Sequence, residues 1–109
     1  MNNKDKYVFK FHDDFYYPIL QRVKTSTIRD SSKPVNIDET VTGLFEPSGV
    51  KIRIKILKHY AVRFKDITSE IAEKEGYLHK DLLEHELHNI YPNLKDDDYV
   101  YIYEFKYSI

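Results

Sequence analysis

Seven consecutive residues, Lys24-Thr25-Ser26-Thr27-Ile28-Arg29-Asp30, gather three hydroxyls, an amine, a guanidinium and a carboxylate. A hydroxyl that can attack, an amine that can take its proton and a fixed positive charge are the parts of hydroxyl-based acyl transfer. Hydroxyl-rich strands with a lysine are also ordinary in proteins that catalyse nothing. In a fully extended strand Lys24 and Thr27 point to opposite faces, so cooperation between them requires a bend. The place where a helix hands over to a strand would supply one.

Two other groupings read more plainly. His85 and His88 are three residues apart, close enough to share a helix face, with His79 upstream. The run His85-Glu86-Leu87-His88 misses the four-residue histidine spacing of zinc proteases by one, and no third ligand is marked, so these read as solvated helix histidines. Lys51, Arg53, Lys55 and Lys58 form a basic stripe that could follow a phosphate backbone, with tyrosines nearby to stack on bases. The wet face of an exposed strand has the same composition, and that is the simpler reading.

The chain has 109 residues, 41% of them hydrophobic, with 17 basic against 18 acidic side chains and a formal net charge of −1. One domain spanning residues 1–109 is the expectation, with residues 1–6 a polar tail. The balanced charge gives no whole-molecule field for non-specific nucleic-acid binding, so an anionic ligand must be held locally. There is no cysteine, which excludes disulfides, thiolate nucleophiles, Fe–S clusters and cysteine-ligated zinc. A reducing cytoplasm fits that composition. No apolar run approaches the roughly 20 residues that span a bilayer, so no membrane association is expected.

These elements must position the chemistry. Tyr7 to Phe11 alternates with the two-residue period of a half-buried strand. Asp13 and Asp14 are placed to cap a short helix ending near Arg22, and Thr25 to Arg29 reads as extended. Thr40 to Phe45 and Val50 to Leu57 flank the turn Glu46-Pro47-Ser48-Gly49 and predict a hairpin, with Tyr60, Val62 and Phe64 in a further short strand. Thr68 is a suitable N-cap for a helix over Ser69 to Glu75 that Gly76 ends, and Leu78, Leu82, Leu83, Leu87, Ile90 and Tyr91 predict a second helix stopped by Pro92. Tyr99 to Tyr107 closes the chain as a long strand suited to the middle of a curved sheet. This is an α+β pattern, most simply a small mixed β-barrel with one early and two late helices outside.

The segments FKFHDDFYYPIL, KTSTIRD, EIAEKEG and HNIYPNLKDDDYVYIYEFK together resemble the small bacterial ASCH-domain proteins, of PUA-like fold, that hydrolyse N(4)-acetylcytidine. The resemblance runs from about Phe9 to Phe105. Its most specific piece is Lys-Thr-x-Thr-Ile-Arg-Asp at 24–30, supported by Ala72-Glu73-Lys74-Glu75 and Ile90-Tyr91-Pro92. It implies an amidohydrolase with Thr27, Lys24 and Glu75 as catalytic residues and Arg29 as a substrate-binding residue. It also implies no cofactor or metal, a small acetylated nucleoside as ligand, RNA contact that is weak at most, and no protein partner. Two assignments of the proton remain open: Lys24 as base assisted by Glu75, or Glu75 as shuttle beside a charged Lys24 that stabilises the oxyanion. The rival class is a PUA-like RNA-binding module without chemistry. Three positions depart from the family pattern: Gln21-Arg22-Val23 and Val35-Asn36-Ile37-Asp38 each lack a customary glycine, and Leu44 stands where the family carries arginine.

Overall fold

Phe9 and Phe11 are buried while Lys10 and His12 are exposed, and this alternation builds strand β1, Val8–His12. The structure is a computed structural model that describes residues 8–108. Tyr7 and the polar segment 1–6 lie outside the described residues. A 3-10 turn, Asp13–Phe15, leads into helix α1, Tyr16–Leu20. Neither Asp13 nor Asp14 caps the helix, whose N-cap is Phe15 without a side-chain bond; the 3-10 turn is capped by His12, whose Nδ1 accepts the Asp14 N–H at 3.0 Å. Asp13 instead accepts the N–H and hydroxyl of Ser48 at 3.1 and 2.7 Å, fastening this segment to the turn after β3. The helix stops at Leu20, two residues short of the expected end, as Arg22 takes a left-handed φ of 61°.

The remaining elements are β2 (Ser26–Arg29), β3 (Thr40–Glu46), β4 (Lys51–Arg63), α2 (Ser69–Lys74), α3 (Lys80–Ile90) and β5 (Tyr99–Ser108). The sheet order is β1-β3-β4-β5-β2, with β1 parallel to β3 and every other neighbour antiparallel. The strand expected around Tyr60 and Val62 is not separate. It continues β4, and Phe64 begins a 3-10 turn, Phe64–Asp66. The pairing with β5 shifts between Ile56 and Lys58, so Leu57 is an extra residue at a bulge. The consequence is a change of face: Ile54 and Ile56 pack in one apolar cluster, whereas Tyr60 and Val62 pack against the other.

Those two clusters lie on opposite faces of the sheet. One contains Phe9, Phe11, Phe45, Tyr103 and Phe105 inside the curl, and the other sets Ile28, Val100 and Ile102 against Ile71, Leu83 and Leu87 of the late helices. Strand β5 supplies both, since adjacent residues point to opposite faces. In α3 only Leu83 and Leu87 are buried; Leu78 precedes the helix, and it, Leu82 and Ile90 are exposed, which narrows the expected apolar stripe. Strands β1 and β2 are the two edges, so the sheet is a curled half-barrel with an open seam. One side chain bridges it: Arg29 Nη2 donates to the Lys10 carbonyl at 2.8 Å.

Candidate active site

The sharp turn lies at Arg22, just ahead of Lys24, and among the described residues no hydrogen bond joins Lys24 to Thr27. Once Arg22 has turned left-handed, Val23 N and Lys24 N both donate to the Pro18 carbonyl, at 2.9 and 3.0 Å, and β2 begins only at Ser26. Thr25 then fastens the strand entrance to the end of α2, its N–H and hydroxyl both donating to the Lys74 carbonyl at 2.7 and 3.3 Å. Helix α2 starts as the sequence indicates, with Thr68 Oγ1 accepting the Ile71 N–H at 3.2 Å, and Gly76 ends it with φ +93°. Glu75, between Lys74 and Gly76, is thereby delivered beside Lys24.

Among the described residues, Lys24, Ser26, Thr27 and Glu75 are the four buried polar ones, each no more than 5% exposed. Lys24 Nζ donates to Glu75 Oε1 at 3.2 Å and faces the Glu75 backbone carbonyl at 3.4 Å. Ser26 Oγ donates to the other carboxylate oxygen, Oε2. Burial pushes the Glu75 carboxyl above the usual glutamate range, opposed by the Lys24 charge, the Ser26 hydroxyl and Arg29. The Lys24 ammonium also lies 4.8 Å from the Phe15 ring centroid.

Thr27 faces the opposite side of β2 from Ser26, paired across to Tyr103. Its Oγ1 accepts the Arg29 Nε–H at 3.0 Å, and among the described residues no acceptor takes its hydroxyl proton. The Arg29 guanidinium stacks over Phe9 and Phe11, 5.4 and 5.3 Å from their centroids. Burial lowers its pKa, while Tyr91, Glu75 and Tyr103 act to raise it. Among the described residues no carboxylate lies within 4.0 Å of it.

Lys24, Thr27, Arg29 and Glu75 all line one cavity of about 450 Å³ at the seam of the half-barrel. Its walls include Phe11, Phe15, Leu83, Tyr77 and Tyr91, which makes an apolar and aromatic slot with polar groups converging at one side. Burial, followed by the charges of Glu86 and Glu75, raises the Tyr77 hydroxyl to about 12, so it stays protonated as a donor. Sequence reasoning missed Ser26, Tyr77 and Tyr91. Of the histidines, His88 Nε2 lies 3.2 Å from the Leu94 carbonyl with its ring against Phe64, and His85 is exposed. None of Lys51, Arg53, Lys55 and Lys58 reaches the cavity. Lys55 lies 3.8 Å from Asp38, and Lys58 sits over the Tyr60 ring.

No protein-family model matches the chain, and no curated protein is significantly similar to it in sequence. Solved structures do superpose on it. The ASCH domain from Lactobacillus crispatus JV V101 matches with a TM-score of 0.62 at 14% identity, over 96% of this chain and 82% of that one. The fold is ASCH-like. Other structures share this ASCH-like arrangement. A DUF984-family protein from Enterococcus faecalis V583 gives a TM-score of 0.75 at 15% identity, over 99% of this chain and 78% of its own. A tyrosine-to-phenylalanine mutant of ZmASCH from Zymomonas mobilis gives 0.68 at 11%, over 91% and 67%. Among the described residues, no helix of the ASCH-like fold is long and apolar enough to cross a membrane.

Proposed function

We propose that the chain is an amidohydrolase that converts N(4)-acetylcytidine to cytidine and acetate through an acyl-threonine on Thr27. The observation that carries this reading is the buried Lys24–Glu75 pair opening onto the same cavity as a threonine hydroxyl whose proton no acceptor engages among the described residues. The ASCH-like fold and the Lys-Thr-x-Thr-Ile-Arg-Asp pattern support it.

The pair shares one proton. With that proton on Glu75, the neutral Lys24 amine is the base that a threonine hydroxyl needs at neutral pH. Burial raises the carboxyl and so brings this tautomer within reach. Thr27 Oγ attacks the acetyl carbonyl carbon as its proton moves to Lys24. The Arg29 guanidinium beside Thr27, with no carboxylate within 4.0 Å among the described residues, receives the acyl oxygen as it becomes negative. Collapse breaks the amide C–N bond, the exocyclic nitrogen takes the proton back from Lys24, and cytidine leaves. Water then attacks the threonyl ester by the same route in reverse, which releases acetate and restores the hydroxyl. The aromatic slot suits a planar pyrimidine, and a volume of about 450 Å³ is of the size that takes a small organic ligand.

Incubating the purified protein with N(4)-acetylcytidine and separating the products by chromatography tests the assignment. Cytidine should accumulate in step with acetate, and a chelator should leave the rate unchanged. Unaltered substrate after prolonged incubation would remove the assignment.

A further inference from the structure

Glu75 is the C-cap of a six-residue helix, and its own element does little to fix its side chain. Both anchors come from the β2 segment, 51 and 49 residues away: Lys24 on Oε1 and Ser26 on Oε2. Ser26 is 1% exposed and does not line the cavity, so its hydroxyl serves the carboxylate rather than a ligand. The family pattern leaves this position unspecified, and the chain offers three hydroxyls in a row. The structure separates them: Thr25 holds the Lys74 carbonyl, Thr27 faces the cavity, and Ser26 holds Glu75.

We propose that Ser26 is a positioning residue of this site: by holding Oε2 it presents Oε1 alone to Lys24 and sets the pH at which the pair exchanges its proton. The proposal rests on the amidohydrolase reading for its kinetic consequences, but not for the hydrogen bond itself. Without Ser26 the carboxylate is free to rotate and chelate the ammonium with both oxygens, which changes where the amine is held. A hydroxyl donor stabilises the ionised carboxylate, so its loss favours the protonated acid and moves the pair's first titration upward. The other charged or titratable groups that interact with Glu75 are Lys24 and Arg29 on the β2 segment, Tyr60 on β4 and Tyr77 just ahead of α3; Glu104 on β5 lies opposite Ser26 and pairs with Lys74, and Glu86 of α3 acts on Tyr77. Ser26 is the one uncharged donor on the carboxylate among the described residues, so replacing it changes the titration without adding or removing a charge.

The test is the graded series Ser26→Thr, Ser26→Cys and Ser26→Ala, which ranks donors from hydroxyl through weak thiol to none. Two readouts are taken: the pH profile of kcat/KM on N(4)-acetylcytidine, and the Glu75 carboxyl carbon titration by NMR, which needs no turnover. Ser26→Ala should raise the acidic limb by about one pH unit, a ten-fold loss below the limb, with the high-pH plateau within about three-fold of wild type. Ser26→Cys should fall between, Ser26→Thr should match wild type, and the NMR midpoint should follow the same order. A limb and midpoint that do not move across the series would overturn the proposal, as would a rate lowered by one factor at every pH. Lack of turnover by the wild-type protein would count against the amidohydrolase reading, and an immobile NMR midpoint against Ser26.

Discussion

Replacing Glu75 by leucine would strand the Lys24 ammonium. Its side chain is 6% exposed, and it would keep only the residue-75 carbonyl at 3.4 Å and the Phe15 ring at 4.8 Å. Removing one member of a buried ion pair typically costs about 3–5 kcal/mol. The lysine can also escape by losing its proton, and at pH 7 an ordinary lysine with a pKa of about 10.4 does so for roughly 4.6 kcal/mol. That figure caps the charge penalty and falls by about 1.4 kcal/mol for each pH unit above 7. The Ser26 hydroxyl, left without its acceptor, adds about 1–2 kcal/mol that does not depend on pH. Urea unfolding at pH 7 and pH 9 should therefore show a loss of roughly 4–6 kcal/mol in Glu75→Leu at the lower pH and a visibly smaller one at the higher. The double variant Lys24→Met/Glu75→Leu should be more stable than Glu75→Leu, retaining only the Ser26 cost of about 1–2 kcal/mol. A double variant no more stable than Glu75→Leu, or a penalty unaffected by pH, would refute the claim that a buried charge pair organises this site.

Lys24→Arg should lose at least about 100-fold in kcat/KM, since guanidinium stays protonated and cannot act as base; an active variant would transfer the base role to Glu75. Glu75 is raised above its unfolded-state range, so the folded chain binds its proton more tightly than the unfolded one. Its contribution to stability is thus fully present below the ordinary glutamate pKa and is lost as pH rises through the folded-state value. Wild-type stability measured relative to Glu75→Gln should fall across that window, and a rise would reverse the sign assigned here. Arg22→Gly should raise stability by about 0.5–1 kcal/mol by chemical denaturation, because φ 61° is unfavourable for a residue with a Cβ.

Local patterns carried much of this fold, because Thr68, Gly76, Pro92 and the alternation of β5 act through their immediate neighbours. The bulge at Leu57 was not legible, since the apolar parity of Ile54, Ile56, Tyr60 and Val62 runs on unbroken in sequence while the face it serves changes. His12, not an aspartate, caps the 3-10 turn because Asp13 is drawn to Ser48, a partner 35 residues away. The same distinction governs the site. Lys24, Thr27, Arg29 and Glu75 were named from the sequence and the structure brings them to one cavity. Ser26 looked identical to its neighbours until Glu75 packed against it. The two glycine-free segments, 21–23 and 35–38, each contain a residue of positive φ, Arg22 at 61° and Asp38 at 70°, so both turns form without glycine.

Whether Thr27 carries the acyl group is decided by comparing cytidine release from N(4)-acetylcytidine by the wild-type protein and by Thr27→Ala, with circular dichroism to establish that both are folded. Loss of at least about 1,000-fold in the folded variant is the result the mechanism predicts, since the nucleophile itself is removed. Cytidine release by Thr27→Ala at a rate near wild type would contradict it.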